Sequence, residues 1–128
     1  MRKKMIAFLG ATYVGLTSIA AAAEPFPAKV VNMIVPYAPG GTTDLLARLL
    51  AQKLSEKYNE QVIVQNKTGA GGNIAASFVA RSEADGYTIM MASIGQFAIN
   101  PLIFSSPGYS AAKDFTAVAA IAEVPNLL

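Results

Sequence analysis

The sequence predicts an α/β lobe with a mainly parallel sheet flanked by helices, and three observations lead there. Apolar segments of strand length alternate with segments of helical spacing, in the order strand, helix, strand, helix, strand. The first strand segment is almost continuously apolar rather than alternating, as suits a strand covered on both faces. Glycine-rich turns follow the strands directly, where strand-to-helix loops belong.

Taken in order, Glu24-Pro25-Phe26-Pro27 is a proline-punctuated lead-in that runs extended into the first strand, Val30 to Val35. Pro36-Tyr37-Ala38-Pro39-Gly40-Gly41-Thr42-Thr43-Asp44 is the turn into a helix. Leu46, Leu50 and Leu54 recur there at steps of four, with Leu45 and Leu49 alongside. Lys53 and Lys57 suit its last turns, and Asn59 is its stop. Val62-Ile63-Val64 is a second strand, Asn66 to Asn73 its loop, and Ile74 to Arg81 a second helix with Ile74 and Phe78 as its apolar stripe. Asp85-Gly86 signals a turn before a third strand, Tyr87 to Ala92, and its loop, Ser93-Ile94-Gly95-Gln96. Asn100-Pro101 and Ser105 to Gly108 read as turns, Lys113-Asp114-Phe115 as a connection, and Thr116 to Ala122 as a fourth strand.

Short connections with right-handed crossovers make the first three strands parallel. Every strand-to-helix loop then emerges at the same carboxyl edge, where open α/β sheets bind ligands. The loops at 36–44, 66–73 and 93–96 should therefore converge.

The chain has 128 residues, of which 53% are hydrophobic, enough for one globular domain and too few for two. Arg2, Lys3 and Lys4 precede an uncharged run from Met5 to Ala20, followed by Ala21-Ala22-Ala23. That pattern reads residues 1–23 as a cleaved secretion signal. As a membrane span it would be weak, given its alanines and Thr12, Thr17 and Ser18. Cleavage lowers Lys plus Arg from 10 to 7 against 8 Asp plus Glu, so the net charge passes from +2 to −1. The basicity belongs to the signal, and nucleic acid is not implied. There is no cysteine and no histidine, which excludes a histidine-dependent triad, a thiol nucleophile and the usual zinc sites within these residues.

In the first loop, two glycines let a ligand approach the backbone, and Thr42, Thr43 and Asp44 stand where a helix start presents unpaired N–H groups to an anion. The same residues equally make a glycine turn with a threonine cap and an acidic first turn, which a helix favours without any ligand. In the second loop Gly69-Ala70-Gly71-Gly72 offers bare backbone donors, with Asn73 as a helix cap. Ser93 and Gln96 could line the same crevice. Nucleotide binding fits badly: Ile74 stands where a dinucleotide fingerprint needs its third small residue, and no Gly-Lys-Ser or Gly-Lys-Thr occurs. The carboxylates form no recognisable acid/base pair, so an anion- or phosphate-using doubly wound enzyme is the weaker alternative. No cofactor or metal is called for.

Several separated stretches together resemble a known family. They are the Phe26-Pro27 lead-in, P-Y-A-P-G-G-T-T-D at 36–44, Q-V-I-V-Q-N-K-T-G-A-G-G-N at 61–73, A-D-G-Y-T-I-M at 84–90, A-I-N-P at 98–101 and K-D-F-T at 113–116. Their order is similar to that of the tripartite tricarboxylate transporter substrate-binding receptors, the Bug-type periplasmic proteins. The resemblance implies a two-lobed, non-enzymatic periplasmic binding protein that holds a small carboxylate between its lobes, delivers it to a membrane permease and works as a monomer. It implies that Gly40, Gly41, Thr42 and Thr43, with Thr68, Gly69, Ala70 and Gly71, grip a carboxylate through backbone amides, hydroxyls and water. Asp44 would meet a solute amino group or simply cap the helix, Ser93 would line the crevice, and Lys67 would be solvated. On this reading residues 24–128 are a partial first lobe, truncated before the second, and binding in this form is impaired or absent.

Overall fold

The computed structural model describes residues 25–123, so the expected signal at 1–23 lies outside the described residues. Three parallel strands form the sheet: β1 (Val31–Val35), β2 (Val62–Asn66) and β3 (Thr88–Met90). The order is β2-β1-β3, with β1 in the centre. Val31 pairs with Val62 and Val35 with Asn66 on one side, and Asn32 pairs with Thr88 and Ile34 with Met90 on the other.

The central position accounts for the apolarity of β1. Met33, Ile34 and Val35 are at most 1% exposed, whereas the residues of β2 and β3, at the sheet edges, keep partial exposure. The continuous apolar run thus marked the strand whose residues are buried on both faces.

Helix α1 (Thr42–Tyr58) follows β1 and ends at a left-handed Asn59, φ 55°, the stop expected from the sequence. Helix α2 (Asn73–Ala80) follows β2. The stripe expected on α1 holds in part and that expected on α2 is corrected by the structure. On α1 the buried positions are Asp44, Ala47 and Ala51, with Leu50 and Leu54 packed beside the alanines; Leu45 and Leu49 stay 61% and 57% exposed. On α2 the buried positions are Asn73, Ala75, Ala76 and Ser77, while Ile74 and Phe78 face outward. Small side chains let the helix backbones approach the sheet closely, so alanine rather than leucine occupies the contact line.

Two further expectations fail. The stretch after β3 is not a loop: a π-helical turn, Gly95–Ile99, runs directly into a short helix α3, Asn100–Ile103. Asn100-Pro101 therefore opens a helix instead of a turn, with the proline in a first turn that can spare its missing N–H. Residues 116–122 form no strand, and Val118 is 90% exposed. This alanine-rich run has weak β preference, and neither edge of the described sheet pairs with it.

Residues 104–115 fold back over the π turn. Phe115 makes edge-on contacts with Phe97, centroids 5.0 Å apart, and with Tyr109 at 5.8 Å. The lead-in is pinned to the entry of β3, where Tyr87 packs on Phe26 at 4.9 Å, its hydroxyl accepts from the Ala28 N–H, and Lys29 pairs with Asp85 at 3.1 Å.

Candidate functional site

The register brings the three strands to their carboxyl ends at one level. The Lys67 N–H donates to the Val35 carbonyl at 2.8 Å, and the Met91 N–H to that of Ile34 at 2.9 Å, so all three loops leave the sheet side by side. Their convergence, expected from topology, is borne out by direct hydrogen bonds between them.

The first loop opens α1 without a side-chain cap. Gly41 holds the capping position in extended backbone, and the first helical bond runs from the Leu45 N–H to its carbonyl at 3.0 Å. The N–H groups of Thr42 and Thr43 precede that bond and have no acceptor in the helix. The threonine cap read from the sequence does not form, because Thr42 is itself the first helical residue. Gly40, Gly41 and Thr42 are exposed and Thr43 is half-buried.

Asp44 turns inward and is 2% exposed. Its Oδ2 accepts from the Gly40 N–H and from Arg48 Nε, each at 2.9 Å, and its Oδ1 accepts from Asn66 Nδ2 at 2.8 Å. Asn66 also donates to the Tyr37 carbonyl at 3.0 Å, so this carboxylate folds the first loop and ties it to the end of β2. Arg48, the Gly40 N–H and Asn66, in that order, hold the carboxyl well below the usual carboxylate range. A group lowered in this way contributes its full stability above its unfolded value, about 4, and loses it as pH falls toward the folded one. Asp44→Asn is therefore expected to lower the urea midpoint at neutral pH, with the gap to wild type closing only below about pH 4. An equal gap at neutral and strongly acid pH would show that the ionised form has no special part.

The second loop, Thr68 to Gly71, is exposed along its length. It tightens into a short 3-10 turn, Ala70–Gly72, in which Ala70 is left-handed at φ 47°, a strained conformation for a residue with a side chain. Gly72 is buried at φ 92°. Asn73 does not act as a side-chain cap; its Oδ1 accepts from Asn100 Nδ2 at 2.6 Å and from the Tyr109 hydroxyl at 3.1 Å. The single Tyr109 hydroxyl proton is shared between that oxygen and the closer Gln96 carbonyl, and burial raises the pKa of its phenol. Lys67 places its ammonium 4.1 Å above the Phe78 ring, so it is not freely solvated.

The third segment enters through Ser93 and Gln96. Ser93 Oγ lies 2.6 Å from the Tyr37 hydroxyl and 3.1 Å from Gln96 Oε1, to which it donates, and it accepts from the Gly95 N–H at 3.3 Å. Ser93 is thus engaged within the protein. Gln96, which has no exposed surface, donates to the Tyr37 hydroxyl at 3.1 Å and to the Gly71 carbonyl at 2.9 Å. Asn100 donates to the same carbonyl at 2.9 Å. Tyr37 and Asn100 were not candidates on sequence; Tyr37 sits inside the first loop motif, but nothing local marks its partners.

The exposed faces of the first two loops therefore offer backbone and hydroxyl donors, while Asp44, Asn66, Tyr37, Ser93 and Gln96 hold the loops together beneath. No group of three or more potential metal-ligating side chains occurs among the described residues. No described helix is long and apolar enough to cross a membrane.

Comparison with known proteins places the chain in a family. Residues 46–128 match the tripartite tricarboxylate transporter family receptor. Protein BugT of Bordetella pertussis is 37% identical over 98% of this chain and 39% of its own length. An R. palustris protein solved with adipate superposes with a TM-score of 0.66 at 46% identity, over 68% of this chain and 29% of that one. MatC from Rhodopseudomonas palustris with bound malate gives 0.64 at 33% identity, over 75% and 33%. The chain spans about two fifths of the length of the curated relatives it matches. By the match over 46–128, the chain belongs to the tripartite tricarboxylate transporter receptor family.

Proposed function

We propose that this chain forms the first-lobe grip of a periplasmic receptor that binds a small carboxylate and delivers it, as a monomer, to a tripartite tricarboxylate-type membrane permease. The observation that carries the reading is the side-by-side exit of the loops at 36–44 and 66–73, with Thr42 and Thr43 N–H groups left without helical acceptors. Neutral donors at a helix start can hold a carboxylate without a lone buried cation, whose desolvation would be costly. Relatives with adipate and malate support a dicarboxylate as the solute class. In this reading Gly40, Gly41, Thr42, Thr43, Thr68, Gly69, Ala70 and Gly71 touch the solute, Asp44 and Ser93 position those that do, and there is no catalysis. Residues 1–23 are the leader removed on export, and 24–128 are lobe.

Amide resonances of the labelled chain, followed while malate and then adipate are added, test the reading. Shifts concentrated at 41–43 and 69–71 are expected. Shifts confined to the opposite, amino edge of the sheet, or none well above millimolar solute, would overturn it.

A further inference from the structure

We infer that Gln96 is the positioning residue of this site: one buried amide that sets the relative placement of all three edge loops without touching the solute. The inference rests on the carboxylate-binding reading for its functional consequence, but its structural part stands on geometry alone. The side chain has no exposed surface and all four of its hydrogen bonds go to the edge segments. Oε1 accepts from the Ser93 N–H at 3.0 Å and from Ser93 Oγ at 3.1 Å, after β3. Nε2 donates to the Tyr37 hydroxyl at 3.1 Å, after β1, and to the Gly71 carbonyl at 2.9 Å, after β2.

The orientation of the amide is fixed at both ends by backbone groups. A peptide N–H can only donate and a peptide carbonyl can only accept, so Oε1 must face Ser93 and Nε2 must face Gly71. Flipping the amide would set donor against donor and acceptor against acceptor in a site without water access, which is expensive. The surroundings are shaped to the side chain as well. A Cβ on Gly72 would overlap Gln96 Nε2, so the glycine leaves the space that the amide fills. Gly71 contributes its carbonyl to Gln96 while its exposed side belongs to the solute face, so a displaced Gln96 moves a donor loop directly. Tyr37 relays the same hold to the first loop through its backbone, which Asn66 fixes at the carbonyl.

Gln96→Glu is the informative substitution, because it keeps shape and replaces the donor facing Gly71 by an oxygen. Ionised, the new group repels the Gly71 carbonyl; protonated, it can donate there again. Burial raises a carboxyl above its ordinary value of about 4.3, which brings its titration within reach of mild acid. Malate affinity of the Q96E chain, read by amide shifts against wild type at each pH, is expected to be about tenfold weaker near pH 8, from the millimolar range into the tens of millimolar. It should recover most of the way near pH 5 as the carboxyl takes up its proton. Loop amides at 68–72 should move and recover with the same pH dependence when no solute is present. Wild-type affinity and unliganded loop shifts in Q96E at all pH values would overturn the inference. Loop shifts that titrate while neither protein binds malate would uphold the positioning role and refute the carboxylate reading instead. Should Q96E not fold, hydrogen exchange of the wild-type Gln96 side-chain amide decides. Strong protection is expected, and exchange as fast as that of an exposed glutamine would overturn the inference.

Discussion

Gly72→Ala is expected to lower the stability of the chain by about 2–4 kcal/mol, through one methyl group. Two penalties coincide at this position. The backbone is left-handed at φ 92°, which disfavours any side chain by about 1–2 kcal/mol. The added carbon also overlaps Gln96 Nε2 and comes within 3.0 Å of Pro36 Cβ. A flexible side-chain end would ordinarily swing away, but Gln96 is held by four hydrogen bonds, and Pro36 is buried at the end of β1. Gly40→Ala is the matched control. Gly40 is also left-handed, at φ 87°, yet a Cβ there meets nothing within 4 Å. It should lose only the backbone part, about 1–2 kcal/mol. Urea unfolding of both variants separates the contributions, and equal losses would show that the contact with Gln96 carries no weight.

The 128-residue chain is expected to bind dicarboxylates no tighter than millimolar. A dissociation constant of 1 mM corresponds to about 4 kcal/mol, and each hydrogen bond from water-exposed loops contributes about 1 kcal/mol net. The few donors at 41–43 and 69–71 can reach that level and little more, because the solute would remain wetted on its other side. A chain extended to the length of its relatives, able to enclose the solute, should gain several orders of magnitude. Calorimetry on the 128-residue chain decides between these outcomes, and micromolar binding by that chain alone would refute the expectation.

The parts of this structure that were legible in the sequence are those in which local chemistry and tertiary context agree. Val30 to Val35 read as a strand buried on both faces, and it is the central strand. Asn59 read as a helix stop and is left-handed. The order of elements was enough to bring the three loops to one edge, since parallel crossovers permit no other outcome. Size misled where packing distance decides. Of the leucines at steps of four on α1, Leu50 and Leu54 do pack against the core, but Leu45, Leu49, Ile74 and Phe78 stay outside, and Ala47, Ala51, Ala75 and Ala76 take the closest contact lines because close helices leave no room for more. Residues 93–103 misled through Ser-Ile-Gly-Gln and Asn-Pro, turn signals that here start and prolong helix. The buried network was illegible for another reason. Gln96, Tyr37 and Gly71 meet from three separate segments, and no spacing rule connects residues whose only relation is a shared position in the fold.

The charge balance at the proposed solute face has a consequence for how an anion would arrive. Arg48 is paired with Asp44, whereas Lys67, over the uncharged Phe78 ring, keeps its positive charge beside the second loop. The peptide and hydroxyl dipoles around it attract over a few ångströms, but a charge is felt across a Debye length of about 8 Å in physiological salt. An anion would therefore be drawn toward the face by one cation and then held by neutral donors. The encounter rate should fall modestly as salt rises, and Lys67→Gln should remove that dependence while leaving the donors in place.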